Sequence, residues 1–596
     1  MQKARLIFAP ILASVLLGST IGPAAAASSL PLTSLVLNSN LKIHPLLQYG
    51  AQASPDTVVR VIVQQVRVPS SGGLLGGLLG GGSNTGDEQF TVIPAVVKSV
   101  KLGQIAALAL DPNVRYISPD GPVQVIPGRN GGLVGGVLGL VGGLLGGLLG
   151  GGSAPQPTPS GNFSASSSRT PVGSSSLSTT YPFDTGAQSA WSGTAGPADA
   201  GQGVAVAVLD SGVDLASPDL AGHVVAVNVN VSAKASNDGF GHGTHVAGVI
   251  GGQGPTGLYA GIAPRTDIVS VKISDDAGQA SESDVLRGLQ WVSTHRSNYN
   301  IRAINLSFST SVPASYATSP IDAAVESLWH QGVTVVASSG NLGAAEDAVW
   351  YAPGNDPLVI TVGCLDENQT VAPGDDSLCP ISSRGITEDG FTKPDLLAPG
   401  RKIVSTLSSG ANGHPAVLAT EFSDRVTADG HHIRLSGTSM SAPMVTGAVA
   451  LLLARHPTLT PDQIKHVLVS TASTYPGQVD KAGELNIVAA LQANMPGGST
   501  QSPLAVDATA APAGSSTLLY DGNRWATSYW TNGHWDNGHW DNGHWDANYW
   551  DNGHWDNGNW DNGHWDNGHW DNGHWDSSTW NNGHWDNGHW DSSTYD

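Results

Sequence analysis

The chain has 596 residues, too many for one ordinary domain, so several units are expected along it. It contains 76 glycines and 36 prolines while charged residues make up only 12%, a composition typical of a protein with long uncharged linkers. The net charge of −22 argues against nucleic acid as a partner, because the phosphate backbone is itself negative.

The N-terminus has the organisation of a secretory signal peptide. Lys3 and Arg5 precede an apolar run, and small residues follow from Ala24 to Ala27. This pattern predicts a signal peptide over residues 1–27 that is removed on export, with an uncleaved anchor as the alternative. The protein is therefore expected to be secreted or held at the cell surface.

The chain has two cysteines, Cys364 and Cys379. Export would bring them into a compartment where a disulfide is permitted. If their geometry allows a bridge, it would close a short loop and stabilise the fold by about 3 kcal/mol in the chain-entropy model. Two free thiols are the alternative.

A small α/β module is predicted over residues 43–126. The stretch "TVVRVIVQQVRV" is typical of a strand, "SVKLGQIAALALDP" of a helix and "NVRYISPDGPVQV" of another strand. A glycine and leucine insert, "SSGGLLGGLLGGGSNTG", interrupts the module and is expected to leave its surface as a loop.

A linker is predicted over residues 127–180. Its first part, from Gly131 to Gly152, is an uncharged tract of 22 residues that approaches the length of a membrane span. More than half of that tract is glycine, and each glycine costs about 1 kcal/mol in a helix relative to alanine. A flexible linker is therefore favoured, continued by a stretch rich in Pro, Ser and Thr, with a membrane contact as the alternative.

The main folded unit is predicted over residues 181–494. Apolar runs such as "VAVAVLD", "DIVSVKI", "IRAINLSF" and "VTVVASSGN" alternate with helical patterns such as "ESDVLRGLQWVSTHR". Strands that are apolar on both faces and separated by helices indicate an α/β fold with a parallel, doubly wound sheet. In such sheets, functional residues gather beyond the carboxyl ends of the strands.

Three segments of this unit carry candidate reactive residues. Asp210 ends the strand "VAVAVLD", His242 lies in "GFGHGTHVAGVIGG", and Ser439 lies in "RLSGTSMSAPMV" before a long apolar helix pattern. Alone, each has a structural interpretation: a turn residue, a hydrogen-bonded histidine and a helix cap. His242 and His245 also form an H-x-x-H pair, but the glutamate of a zinc-protease H-E-x-x-H motif is missing.

Together, "VAVLDSGVD", "GHGTHVAG" and "GTSMSAP" resemble the three active-site motifs of the subtilisin-like serine proteases, in the chain order Asp, His, Ser. The stretches "YAPGNDPLVITVG", "KPDLLAPG" and "GELNIVAAL" extend the resemblance. It implies that Ser439 is the nucleophile, that His242 is the general base and that Asp210 orients the imidazole.

The resemblance also implies how the rest of the site is built. Asn341, in "VTVVASSGNLG", matches the oxyanion asparagine of the family, and the Ser439 backbone N–H would be the second donor. Peptide should bind as an added strand. The primary pocket would be flanked by two segments, with "DDAGQAS" on the far side of the cleft: Leu306, Ser307, Phe308 and Ser309 in the first, and Ser338, Ser339 and Gly340 in the second.

Specificity and metal binding are less defined by the sequence. The family commonly has glycine where Ser309 stands, and a broad preference for apolar or uncharged side chains is expected. No cofactor is required by this chemistry. Asp219, in "SPDL", matches a calcium ligand of the family, but the loop "GGQGPTGLYAG" lacks the oxygen-bearing side chains that often complete that site, so calcium is left open.

The N-terminal module has its own resemblance. Its stretch "ALALDPNVRYISPDGPV" resembles the propeptide that assists folding of these proteases and inhibits them until it is removed. The chain would then be a zymogen, inhibited by its own propeptide and cleaved within residues 127–180. An unrelated interaction domain is the alternative.

After a second linker over residues 495–519, the tail over residues 520–596 repeats "NGHWD". Trp recurs at every fifth position from Trp525 to Trp590, fourteen times, with nine His interleaved. A period of five fits neither a helix nor a strand. Disorder is favoured over a turn-rich solenoid, and the exposed aromatics predict cell-surface or polysaccharide contact, with divalent ions as the alternative ligand.

The sequence therefore predicts a secreted, monomeric serine endopeptidase that acts on proteins or peptides and is made as an autoinhibited zymogen. The alternative is a catalytically silent protein that binds a surface or a polysaccharide through its tail. The presence of Asp210, His242, Asn341 and Ser439 in one chain favours the enzyme.

Overall fold

The structure is a computed structural model that describes residues 42–66, 87–124, 157–163, 177–233, 237–253, 258–479 and 481–497. The predicted signal peptide, both glycine and leucine tracts and the repeat tail lie outside the described residues. Within the described ranges, no helix combines the length and the apolarity that a membrane span requires.

The N-terminal module is an antiparallel sheet with short helices. Its elements are α1 (Pro45–Ala53), β1 (Val58–Gln65), β2 (Glu88–Phe90), β3 (Ala95–Lys101), a 3₁₀ turn (Leu102–Gln104), α2 (Ile105–Ala109), β4 (Val114–Pro119) and β5 (Pro122–Gln124). The first four strands form one sheet in the order β2-β3-β1-β4, with every pair antiparallel. Buried valines and leucines between this sheet and the helices form a small core of its own.

The sequence-based elements of this module were wrong at two places. The last predicted strand is divided into β4 and β5, which belong to different sheets. The helix predicted from Ser99 begins only after Lys101, because residues 99–101 are the end of β3. Val96, Val97 and Val100 are buried there, and β-branched side chains suit a pleated strand better than a helix. Helix α1 and strand β2 were not predicted.

The predicted linker is not unstructured throughout. Residues Ser160–Phe163 form strand β6, which pairs antiparallel with an edge of the main sheet. The prediction of one continuous flexible linker over residues 127–180 was therefore wrong at this strand, which is held by backbone hydrogen bonds that composition does not reveal.

The main unit alternates strands and helices as predicted. In chain order its elements are α3 (Tyr181–Asp184), α4 (Ala187–Trp191), β7 (Ala205–Asp210), β8 (His223–Asn228), α5 (His242–Gly251), β9 (Asp267–Lys272), β10 (Gln279–Ser281), α6 (Glu282–Tyr299), β11 (Ile301–Leu306), β12 (Ser309–Thr310), α7 (Pro320–His330), β13 (Thr334–Ser338), β14 (Ile360–Asp366), β15 (Ser377–Leu378), β16 (Gly385–Ile386), β17 (Thr392–Lys393), β18 (Leu396–Pro399), β19 (Ile403–Thr406), α8 (Val417–Glu421), β20 (His432–Leu435), α9 (Thr438–Arg455), α10 (Pro461–Ser470), β21 (Gly483–Glu484) and α11 (Ile487–Gln492). Short 3₁₀ turns lie at Pro373–Asp375 and Ser423–Arg425.

One large sheet organises this unit. Its strands follow the order β21-β18-β14-β13-β11-β7-β9-β8-β6, and β15 pairs with β14. All neighbours from β21 to β8 are parallel, whereas β6 and β15 are antiparallel additions. The predicted α/β fold with a parallel sheet is thus confirmed in its central part, and the whole sheet is mixed.

Helices cover the sheet and position the functional residues. Helix α9 packs against β11, β13, β14 and β18 and against α5, while α6 and α7 pack against each other and against other strands. Residues Thr438–Leu453 of α9 are all buried, as expected of a helix that is apolar all round. His242 at the start of α5 contacts Asp210 at the carboxyl end of β7, and Ser439 near the start of α9 contacts Ser307 directly after β11, so both helix starts lie at one edge of the sheet.

Candidate active site

The aspartate and the histidine of the predicted triad lie next to each other. Asp210 is the last residue of the fully buried strand β7, and His242 is the first residue of α5. Between them, Gly243 allows a close backbone approach, since a Cβ there would lie 2.2 Å from the Gly212 carbonyl oxygen and 3.0 Å from the Asp210 Cβ. Glycine at this position is therefore a steric requirement of the pair.

The Asp210 carboxylate fixes the orientation of the imidazole. His242 Nδ1 lies 2.8 Å from Asp210 Oδ1 and 2.9 Å from Oδ2, and each side chain is 1% exposed. A carboxylate at Nδ1 favours the tautomer with its proton on that nitrogen, which leaves a lone pair on Nε2. In the described part of the chain His242 Nε2 has no hydrogen-bond partner, so it is available to accept a proton.

Ser439 does not act as a helix cap. It is the second residue of α9, whose N-cap is Gly437, and no side chain from the described ranges caps that end. Ser439 Oγ donates to the Ser307 carbonyl oxygen at 3.3 Å, and Ser307 Oγ donates to the Ser439 carbonyl oxygen at 3.0 Å. The structure thus holds Ser439 at the predicted edge but hydrogen-bonded to Ser307 and not to His242.

Pro443 explains why the Ser439 carbonyl oxygen is open to Ser307. In an α-helix this carbonyl would accept from the N–H four residues later, which is the position of Pro443, and proline has no N–H. The carbonyl is therefore satisfied by the Ser307 hydroxyl. Pro443 lies in the second turn of α9.

Asn341 follows β13 and lies against the start of α9. Its Oδ1 accepts hydrogen bonds from the Thr438 backbone N–H at 3.0 Å and from the Thr438 hydroxyl at 3.1 Å. The opposite end of the amide faces Gly437, where a built Cβ would lie 3.3 Å from Nδ2. The two hydrogen bonds to Oδ1 fix the amide so that its Nδ2 donor lies beside Gly437, two residues before Ser439.

The predicted pocket segments lie side by side. Leu306, Ser307 and Phe308 are buried at the end of β11, and Ser338 Oγ donates to the Phe308 carbonyl oxygen at 3.4 Å. The remaining pocket residues border these two segments: Ser309 at the start of β12, and Ser339 and Gly340 directly after β13. The structure therefore brings both predicted segments together below Ser439 and Asn341.

A strand of the N-terminal module occupies the cleft beside this pocket. Strand β5 pairs antiparallel with β10 on one side and with β12 on the other. Gln124 lies opposite both Gln279 and Ser309, and Val123 lies opposite Ala280 and Thr310. Strand β10 lies in the segment "DDAGQAS" and β12 begins at Ser309, so β5 bridges the two segments that the sequence analysis placed on either side of the cleft.

Asp238 is a functional residue that sequence reasoning missed. It is fully buried and accepts hydrogen bonds from Ser211 Oγ at 2.8 Å, from Gly241 N at 2.7 Å and from Thr244 N at 2.8 Å. Burial raises the pKa of Asp238, although Lys272 and the hydrogen bonds oppose the shift. Its carboxylate joins the turn after Asp210 to the N-terminus of α5. An aspartate four residues before His242 was the available signal.

His245 has a structural role and does not form a metal pair with His242. Its Nε2 lies 3.1 Å from the Ile403 carbonyl oxygen, and burial lowers the pKa of His245 to about 3. Neither histidine belongs to a group of three metal-type ligands among the residues that the structure describes.

Asp219, the residue predicted as a calcium ligand, is engaged by protein groups. Its Oδ2 accepts from Thr406 Oγ1 at 2.9 Å and lies 2.9 Å from His432 Nε2.

Cys364 and Cys379 form a disulfide with their Cα atoms 5.4 Å apart.

Comparison with known proteins places this geometry in context. The model of the Subtilase family matches residues 201–497. Serine protease AprX of Bacillus subtilis (strain 168) is 34% identical over 276 residues, which are 45% of this chain and 61% of that protein. Subtilisin of Bacillus pumilus is 33% identical over 297 residues, which are 49% of this chain and 92% of that protein. A solved cold adapted subtilisin-like serine proteinase is 29% identical, covers 48% of this chain and 90% of its own, and has a TM-score of 0.37.

The chain belongs to the subtilase family. It matches 92% of the length of the Bacillus pumilus subtilisin at 33% identity, and the family model matches residues 201–497. The match spans less than two thirds of the AprX protein, and residues outside it have no counterpart in that comparison.

Proposed function

We propose that this protein is a secreted serine endopeptidase that is made as an autoinhibited zymogen. The observation that carries the proposal is the contact of His242 Nδ1 with both oxygens of Asp210 at the same sheet edge as Ser439. Membership of the subtilase family supports the same reaction.

The first chemical step is acylation of Ser439. Its hydroxyl turns from the Ser307 carbonyl to His242 Nε2, which takes the proton as Oγ attacks the carbonyl carbon of the scissile peptide bond. The carbonyl electron pair moves onto oxygen, where Asn341 Nδ2 and the Ser439 N–H stabilise the oxyanion. His242 then gives its proton to the leaving nitrogen, and the C–N bond breaks.

The second step is hydrolysis of the acyl-enzyme. A water molecule gives a proton to His242 Nε2 and attacks the ester carbon. Collapse of the second tetrahedral intermediate breaks the bond to Ser439 Oγ, which recovers its proton from His242. Throughout, Asp210 stabilises the imidazolium without taking its proton.

Casein hydrolysis by the processed protein tests this mechanism. Ser439→Ala is expected to abolish cleavage because it removes the nucleophile. Ser441→Ala is the matched control, because Ser441 Oγ is buried two residues further along the same helix and has no hydrogen-bond partner within the described ranges. Cleavage that survives Ser439→Ala would exclude the mechanism, whereas a processed parent that cleaves no casein would favour a silent binding protein.

Autoinhibition is supported by the contacts of residues 42–124 with the catalytic unit. Besides β5 in the cleft, Arg287 Nε and Nη2 donate to Glu88 at 2.6 and 2.8 Å. Asp120 accepts from the Ser283 backbone N–H at 2.8 Å, at the N-terminus of α6, where a carboxylate is favoured. Strand β5 covers the edges to which substrate would add, and the contacts of Glu88 and Asp120 hold the module against α6, so the module acts as an intramolecular inhibitor.

The onset of activity tests the zymogen. The intact chain and its processing products are assayed with one peptide substrate while mass spectrometry follows both termini. Activity is expected to rise as cleavage within residues 127–180 proceeds. Full activity of the intact chain would contradict autoinhibition without affecting the triad.

The repeat tail is proposed to hold the enzyme at a cell surface or a polysaccharide. Its regular tryptophans are the supporting observation, because many weak stacking contacts add up to firm attachment. Retention on cell walls is compared with and without residues 520–596. Equal retention of both forms would remove this part of the proposal.

A further inference from the structure

Three carboxylates that the proposed mechanism does not use meet in the catalytic unit. Asp184 is the last residue of α3, Asp376 lies directly before β15, and Glu484 belongs to β21. One oxygen from each lies within 4.8 Å of the other two. Three segments distant in sequence thus place acidic side chains at one point.

These carboxylates are buried without compensation. Asp376 and Glu484 are each 1% exposed. Both oxygens of Asp376, both of Asp184 and Oε2 of Glu484 are buried, and among the residues described the three carboxyls meet hydrogen-bonding side chains only from one another. Buried carboxylates are normally paired or ligate a metal, because an uncompensated buried charge is costly.

The surrounding charges worsen the imbalance. The groups that act electrostatically on the three carboxyls are all acidic: Asp366, Glu367 and Asp375 besides the three themselves. The guanidinium of Arg401 pairs with one of these neighbours, Asp366, at 2.7 Å. Burial and these neighbours raise the pKa of Asp184 to about 8 and that of Glu484 to about 10. A bound cation would therefore stabilise the ionised form of these three carboxyls.

The spacing and the atom type indicate which cation fits. Carboxylate oxygens are ligands of hard cations, and calcium binds them at about 2.3–2.6 Å, so two ligands on opposite sides of the ion lie up to about 5 Å apart. Magnesium demands near-ideal octahedral geometry at about 2.1 Å and usually keeps several waters, so a cage of protein carboxylates suits calcium better. The oxygens of this site lie within 4.8 Å of one another, and three carboxylates supply up to six oxygens, the lower end of calcium coordination.

We propose that Asp184, Asp376 and Glu484 bind one calcium ion, which fastens the beginning of the catalytic unit to the loop closed by the disulfide and to the last strand of the sheet. Thr180 supports this docking, since its hydroxyl donates to Glu367 Oε1 at 2.7 Å beside the site. The ion would hold the segment that becomes the new N-terminal end once the linker is cut. This site is separate from Asp219 and does not depend on the proposed peptidase activity.

Calcium titration of the full chain tests the proposal, in a Ser439→Ala background that prevents self-cleavage. After removal of metals with EDTA, calorimetric titration with CaCl₂ counts the bound ions. Asp376→Asn and Glu484→Gln are each expected to bind one ion fewer than the parent. Glu326→Gln is the matched control, since it neutralises another fully buried acid and should leave the count unchanged.

Thermal unfolding gives the second measurement. Calcium at about 100 times its Kd is expected to raise the Tm of the parent by roughly 5 °C or more, and this rise should be absent in Glu484→Gln. MgCl₂ at the same concentration should have little effect. Hydrogen exchange in residues 177–191 should slow with calcium in the parent alone.

Several outcomes would overturn the proposal. A parent that binds no calcium would do so, as would variants that bind as many ions as the parent with the same affinity. An equal response to magnesium would remove the calcium assignment. If Glu484→Gln does not fold, Asp184→Asn replaces it, because Asp184 is only half-buried. Casein cleavage does not enter these readouts, so failure here leaves the peptidase proposal standing.

Discussion

At the scale of single residues, the candidate site depends on where backbone atoms are allowed to approach. Gly243 has no room for a side chain, since its Cβ would lie 2.2 Å from the Gly212 carbonyl oxygen. That carbonyl belongs to the turn following Asp210, so any displacement changes the contact between Asp210 and His242. The geometry of the contact between Asp210 and His242 therefore depends on Gly243, which has no reactive side chain.

Gly243→Ala is expected to lower kcat by about 100-fold with a smaller change in KM, because a shift near 1 Å in a catalytic group has that effect. Kinetics on a peptide substrate with processed enzyme would measure it. Gly497→Ala is the control, since a Cβ at Gly497 meets no atom within 4 Å among the residues that the structure describes. Unchanged kcat in Gly243→Ala would mean that the turn relaxes freely.

Asn341→Ala is expected to lower kcat by about 10²–10³, the loss typical of removing one oxyanion donor, while KM stays nearly constant. The donor in question is Nδ2, which the contacts of Oδ1 with Thr438 orient. A Tm measurement separates this effect from loosening of the α9 N-terminus. A kcat equal to that of the parent would contradict the role of Asn341.

At the scale of elements, α7 carries a buried acidic stripe. Asp322 and Glu326 lie one helical turn apart on its buried face, and Asp356 precedes β14 nearby. Burial, followed by the charge of Asp356, raises the pKa of Glu326 well above its ordinary value, and burial raises the pKa of Asp356 to about 6. Groups with raised pKa values bind protons more tightly in the folded state than in the unfolded state.

The stability of the fold should consequently fall as pH rises through the raised pKa values of these acids. Glu326→Gln keeps a donor toward Asp356 but cannot ionise, so it is expected to stabilise the protein at pH 8 by about 1 kcal/mol and to have little effect near pH 4. Urea unfolding of the Ser439→Ala protein at both values measures this. The exposed Glu346→Gln is the control, and equal effects of Glu326→Gln at both pH values would refute the linkage.

The elements also show what sequence could and could not predict. The strand end at Asp210 and the helix start at His242 were predictable, because local motifs encode them, whereas β13 ends at Ser338, three residues before the predicted strand end at Asn341. The end of β3 was predicted as helix. Its valines favour a strand because they pack against the core of the module, and this packing cannot be read from the local sequence. The convergence of Asp184, Asp376 and Glu484 could not be predicted, because the tertiary fold alone brings together positions hundreds of residues apart.

At the scale of the whole molecule, the N-terminal module and the catalytic unit bury a histidine between them. His44 caps α1 and lines a cavity together with Thr310, Val312 and Glu282 of the catalytic unit. Burial lowers the pKa of His44 to about 4, although the Pro313 carbonyl opposes the shift. In a free module the pKa of His44 would return to about 6.5, so the docked module binds a proton at His44 less tightly than the free module does.

Docking of the module is therefore expected to weaken as pH falls below 6.5, by about 30-fold at pH 5. The fraction of module that stays bound can be measured by gel filtration, in a Ser439→Ala chain cut at a site engineered within residues 127–159. His44→Gln should remove most of the pH dependence, whereas the exposed His431→Gln should retain it. Equal retention at pH 5 and pH 7.5 in the parent would contradict the prediction.

The position of β5 between β10 and β12 has a consequence for the newly made protein as well. Strand edges with unpaired N–H and C=O groups are where partly folded chains adhere to one another and aggregate. While β5 lies there, both borders of the cleft are covered, which leaves a newly made chain fewer free strand edges that could pair with another copy. Loss of this strand should therefore reduce the soluble yield even of an inactive variant.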